Sequence, residues 1–233
     1  MNKPLIAMGA LVFAGLCPLV AAQDLRQEIQ QKLATVKESA ARNKASLSQY
    51  TWTEQDQILY KGDVKKTTQY VCRYGPDGKV QKTQLGQPAP EKRKRGLRGK
   101  IIEEKKDEMK DYMDRAVALI HNYVPPTPEA MQAAFQAGNV MAGGAGPGRM
   151  QLQFKNYFKQ GDSMSFSFDQ ATKALTSVNV NSYLNDAKDA VTLQVTFQSL
   201  PDGTNYAAST VLNAPAKDIQ VNLQNSNYQK LAM

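Results

Sequence analysis

Apolar residues recur along this chain with two different periods, and the changes between them divide it into segments. Leu25, Ile29, Leu33, Val36 and Ala40 fall at helical spacing, with Arg26, Glu28, Gln31, Lys32 and Lys37 on the other side. Asp24, with Gln27 three positions on, supplies an N-cap and a capping-box partner. The pattern predicts an amphipathic helix over 24–43. From Ser48 the period becomes two, through Tyr50-Thr51-Trp52-Thr53, Ile58-Leu59-Tyr60 and Thr67 to Tyr74. Lys61-Gly62-Asp63 and Gly75-Pro76-Asp77-Gly78 punctuate it with the residues that tight turns require. Three antiparallel strands are expected, near 49–60, 64–74 and 79–85.

A strongly basic connector containing proline, residues 87–100, ends this block. Helical spacing returns in Met109, Tyr112, Met113, Ala116, Val117, Ile120 and Val124, a stripe closed by Pro125-Pro126. Thr127-Pro128 then opens a short helix with Met131, Ala134 and Phe135 on one side and Gly138-Asn139 as its stop. The helical insertion thus spans 101–139. A glycine-rich stretch over 142–148 reads as a mobile linker. Beyond it Met150-Leu152-Phe154, Met164-Phe166-Phe168, Leu193-Val195-Phe197 and Ile219-Val221-Leu223 alternate with Gln, Ser, Thr and Asn. Such alternation buries one face of a sheet and wets the other. The expected fold is α+β: one curved antiparallel sheet of roughly nine strands, a half-open β-barrel. The N-terminal and mid-chain helices cover its apolar face.

The first 22 residues change the picture most. Lys3, the apolar run Leu5 to Val20 and the small residues of Val20-Ala21-Ala22 form the pattern of a cleaved secretory signal. The processed chain, 23–233, is then a single exported domain, and the absence of any Asn-x-Ser/Thr sequon favours a bacterial periplasm. Cys17 follows Leu16 rather than a small residue and precedes Pro18, so a lipid-anchored form is not expected. Cys72 remains as the one thiol, in step with Tyr70 and Tyr74, and reads as buried and structural rather than nucleophilic. Losing Lys3 takes the formal charge from +8 to +7.

Candidate chemistry is sparse. His121 is the only histidine, which rules out multi-histidine metal sites, and near a helix C-terminus it reads as a dipole partner. Glu103, Glu104, Asp107, Glu108 and Asp111 interleave with Lys105, Lys106, Lys110 and Arg115, as on a solvated helix surface. The glycine run lacks the Lys-Ser/Thr ending of a phosphate loop and follows a helix instead of a strand. Neither a catalytic residue nor a metal or cofactor site is expected, and nucleic acid is not an expected partner. The run Lys92, Arg93, Lys94, Arg95, Arg98 and Lys100 puts six positive charges into nine residues. It is a candidate contact for an anionic membrane surface, or a solvated loop. The methionines Met109, Met113, Met131 and Met141 suit either an ordinary core or a surface that accepts varied apolar partners.

This order of elements, with the local texture Tyr50-Thr51-Trp52-Thr53 and Tyr74-Gly75-Pro76-Asp77-Gly78-Lys79, resembles the outer-membrane lipoprotein carrier family and its related receptors over residues 24–225. The basic connector and the long insertion to Asn139 depart from a minimal carrier, and no residue matches the arginine that fastens the lid there. The resemblance implies non-enzymatic binding of an acyl chain, a lipid or a lipidated protein under a helical lid. The expected lining is Leu152, Phe154, Phe166, Phe168, Leu193, Val195 and Phe197 from the sheet, and Met109, Met113 and Val117 from the cover. The alternative is an envelope interaction or regulatory module whose interior is simply packed.

Overall fold

The structure, a computed structural model, describes residues 38, 41–86 and 97–231, with side chains of the long central helix from residue 107 onward. The expected signal segment, most of the helix expected over 24–43 and the basic residues Lys92 to Arg95 lie outside the described residues, as do the side chains of Arg98 and Lys100. The sheet and its mid-chain helices belong to one compact unit, Asn43–Met233.

Ten antiparallel strands form one open, curved sheet: β1 (Tyr50–Tyr60), β2 (Asp63–Tyr74), β3 (Val80–Leu85), β4 (Val140–Gly144), β5 (Arg149–Lys155), β6 (Ser163–Asp169), β7 (Leu175–Tyr183), β8 (Ala190–Ser199), β9 (Asn205–Ala214) and β10 (Ile219–Lys230). Among the described residues three α-helices accompany them: α1, described over 41–47, α2 (Leu97–Ile120) and α3 (Pro128–Gln136). The spatial order is β3-β2-β1-β10-β9-β8-β7-β6-β5-β4. The fold is α+β and the sheet does not close into a barrel. The first three strands lie within a residue or so of their expected limits, because alternation and turn chemistry agree there.

The tenth strand is the difference. β4 includes Ala142, Gly143 and Gly144, three of the seven residues expected to be a linker. It is an edge strand, paired only with β5 and exposed along most of its length. Backbone hydrogen bonds hold it, so no side-chain alternation announces it. Gly146 and Gly148, with φ of 106° and 67°, then make the turn into β5. The long helix likewise begins in the connector, at Leu97, and stops at Ile120. The expected start of α3 holds: the Thr127 hydroxyl accepts from the Ala130 N–H at 3.2 Å, and Gly138 follows the helix with φ of 74°.

Strand order explains why helices lie across the sheet. β3 and β4 are its two opposite edges, yet they are joined by the segment containing α2 and α3. Ten strands at about 4.8 Å spacing span roughly 43 Å when flat. A helix of 24 residues is about 36 Å long. α2 is therefore long enough to cross most of a sheet whose curvature shortens the distance.

Candidate functional site

Strand register arranges the helix-bearing face in rows that run across the strands. The row at one end comprises Tyr60, Ile219, Ala214, Val191 and Ser182. α2 follows it. Tyr112 packs with Ala214 and Ile219, flanked by Tyr60, Met109, Met113 and Leu184. Just past the helix, Tyr123 is fully buried at the Ser182 end of the same row. Two tyrosine hydroxyls tie this cover down: Tyr112 donates to Asp189 Oδ1 at 2.6 Å and Tyr123 to Asp162 Oδ2 at 2.6 Å. Asp162 also accepts from the backbone N–H groups of Tyr157, Phe158 and Lys159. Ser182 Oγ lies 2.7 Å from the Tyr123 hydroxyl. Burial, then the carboxylates, push the hydroxyl pKa of both tyrosines up. Both donors stay protonated throughout the physiological range.

The next two rows hold the apolar residues. One contains Ile58, Val221, Leu212, Leu193, Val180, Met164 and Phe154; the other Asp56, Leu223, Thr210, Val195, Val178, Phe166 and Leu152. Leu152, Phe154, Phe166, Leu193 and Val195 thus share one face with Phe168, and all are buried; Phe197 is half-buried. Edge-to-face contacts join Phe154 to Phe166 at 5.9 Å. Burial falls off toward β1: Val221 and Leu223 are half-buried and Ile58 is 40% exposed. Met109 and Met113 are half-buried beside this opening side. Val117, expected in the cover, is exposed. Tyr112, Ala116, Leu119, Ile120 and Tyr123 form the buried stripe, and Val117 stands one helical step of about 100° away from Ala116.

At the β1 end the alternation is kept but its chemistry changes. Trp52, Glu54 and Asp56 occupy successive positions on the face of Ile58 and Tyr60. Glu54 stands opposite Asn225 on β10 and Tyr70 on β2, while Cys72 stands opposite Trp52 on one side and Lys82 on the other. Glu54 is buried and ion-paired with Lys82. Burial, then a hydrogen bond and the charge from Glu54, push the Asp56 carboxyl up to about 6, with Lys82 pulling the other way. Lys82 is itself desolvated, yet Glu54 and Asp56 hold its pKa above the ordinary value. Three buried atoms here have no hydrogen-bond partner among the described residues: Trp52 Nε1, Asp56 Oδ1 and Asn225 Oδ1. Aromatic rings frame the patch, with Trp52 stacked on Tyr228 at 5.5 Å and tilted against Tyr74 at 5.6 Å. The Cys72 thiol is fully buried and pushed up to about 11 by burial and the Glu54 charge, which suits a structural thiol.

This patch escaped pattern reading, although its signal was present. Two carboxylates, Glu54 and Asp56, sit where the alternation of Tyr50, Trp52, Ile58 and Tyr60 calls for apolar residues. The other candidates stay apart from it. His121 is exposed. On α2, Asp111 and Asp114 pair with Arg115 and Lys110 at i, i+4 on the solvated side. Among the described residues no group of three His, Cys, Asp or Glu side chains is placed to hold a metal, and no helix is long and apolar enough to cross a membrane.

Comparison with known proteins adds little to this geometry. No protein-family model matches the chain, and the curated proteins contain no match to it. Among solved structures, a DUF1329 family protein from Desulfovibrio piger aligns with a TM-score of 0.35 and 12% identity, covering 91% of this chain and 93% of that one.

Proposed function

We propose that this protein is a non-enzymatic periplasmic carrier for a hydrophobic ligand: an acyl chain, a lipid or a lipidated protein. The observation that carries the reading is the uneven burial of the helix-bearing face. From β5 to β8 the face is packed, with Phe154 and Met164 inaccessible. Toward β10 and β1 it opens, leaving Ile58, Val221 and Leu223 partly uncovered beside the methionines of α2. A long helix fastened by two tyrosine–aspartate hydrogen bonds can loosen over this side without unpacking the β5–β8 core. The element order shared with lipoprotein carriers points the same way. The basic run Lys92 to Lys100 would serve such a carrier as a contact with anionic lipid head groups.

Native mass spectrometry of the protein, purified from a bacterial periplasm without detergent, tests this. Extra mass that dissociates as acyl lipid is expected. Val221→Asp, which puts a charge into the partly uncovered strip, should abolish that retention in a protein that still folds, whereas unchanged retention in a folded variant would count against the carrier reading. A bare mass that stays bare after incubation with lipids would sink the carrier reading. It would favour a packed interaction module, the reading that the complete burial of Phe154, Met164 and Leu152 supports.

A further inference from the structure

We infer that the patch formed by Trp52, Glu54, Asp56 and Asn225 binds the cationic ammonium head group of an amphiphile whose chain lies over Ile58 and Val221. The inference rests on the carrier reading and names its ligand class. Three observations converge. Asp56 Oδ1 and Asn225 Oδ1 are buried acceptors without donors, and an N–H-bearing or fully cationic group would satisfy both. Trp52, only 6% exposed and two residues from Glu54 on β1, carries a buried indole N–H without an acceptor, which an oxygen next to the amine would satisfy. Glu54 is already neutralised by Lys82, so the Asp56 carboxylate is the unmatched charge and an anionic head group is disfavoured.

The polar patch and the partly open apolar residues are contiguous. Asp56 and Leu223 form one row, Ile58 and Val221 the next, and Tyr60 and Ile219, under α2, the one after. A chain leaving the patch runs along β1 and β10 for about 13 Å before reaching the helix. The charged groups facing Asp56 are Glu54 on its own strand, Lys82 on β3 and Lys66, which stands opposite Ile58; the neutral Cys72 thiol on β2 is the other titratable group. β10 contributes only Asn225 and Leu223 at this register. Lys66 is exposed and has no ion pair with Asp56.

Trp52 is the only tryptophan, so its emission reports on the patch directly. The purified protein is titrated at pH 7.5 with dodecylammonium, dodecanol and dodecanoate, each below its micellar concentration. Dodecylammonium should bind at least about tenfold more tightly than the other two, the scale of one partly buried charge contact. Ethylammonium, which lacks the chain, should leave the emission unchanged. Asp56→Asn, nearly isosteric, should erase the ammonium preference while dodecanol binding persists. The preference should also shrink in the wild-type protein at pH 5, where Asp56 carries a proton. Equal affinities for the three amphiphiles, or a preference that survives Asp56→Asn, would overturn the head-group assignment and leave the carrier reading standing. Binding of ethylammonium as tight as that of its dodecyl counterpart would overturn the amphiphile assignment. No response to any of the three amphiphiles would overturn both.

Discussion

Removing one oxygen atom at Tyr123 tests whether α2 is held to the sheet by polar latches. Tyr123→Phe keeps the ring, and with it the contacts at 5.8 Å to Tyr157 and to Phe158. Only the bonds to Asp162 and Ser182 are lost. Tyr123 is fully buried and Asp162 is 3% exposed, so solvent cannot replace the missing donor. A hydrogen bond to a charged acceptor contributes about 1.5–3 kcal/mol. Asp162 keeps three backbone donors, so the carboxylate is not orphaned, and a loss of about 2 kcal/mol is expected. Urea unfolding followed by Trp52 emission reads this as a midpoint lowered by about 1 M, for a slope of about 2 kcal/mol per molar urea. Tyr112→Phe serves as the comparison. Its partner Asp189 lies nearer solvent and also accepts from Asn185 Nδ2 at 2.7 Å, so its loss should stay below about 1 kcal/mol. Equal effects of the two substitutions, or a Tyr123→Phe midpoint within 0.2 M or so of wild type, would refute the latch argument.

Asp56 offers a second test, independent of any ligand. Its folded pKa is about 6, raised from an ordinary value of 3.8. The folded state therefore holds the proton more tightly than the unfolded chain does. The stability contributed by the protonated carboxyl is full below pH 3.8 and drains away as pH rises through 6. Asp56→Asn should then stabilise the ligand-free protein at pH 7.5 and make little difference near pH 4, as read by urea unfolding at both values. A variant less stable than wild type at pH 7.5 would contradict the burial argument. Cys72 should be unreactive toward a thiol-specific reagent in the folded protein and react fully in urea; prompt labelling under native conditions would show an accessible thiolate.

Sequence made the strands of the first block legible because two independent signals coincide there, alternation and turn residues. β4 was illegible for the opposite reason. An edge strand of Val140 to Gly144 is held by its backbone alone, and glycine carries no face to read. The α2 stripe was nearly right: Tyr112, Ala116 and Ile120 are buried as their spacing demands. Adding Val117 widened the stripe past the angle that the sheet can cover. The polar patch failed for a different reason. Glu54 and Asp56 interrupt an apolar face, and reading by periodicity treats an interruption as noise. Only the strand register shows that they meet Asn225 and, through Glu54, Lys82, which come from distant segments of the chain.

Pairing of β1 with β10 has a kinetic corollary. Tyr50 and Lys230 are neighbours in space although about 180 residues separate them in sequence. Every other strand pair joins consecutive segments, so β1–β3 and β4–β10 can each zip up locally as a meander. The seam between them closes only when the final strand arrives, after the largest loop-closure cost in the fold. Until then the edges of β1 and β10 stand open, and both tend to recruit other strands. A polypeptide built this way stays assembly-competent, and vulnerable to association, until β10 is in place.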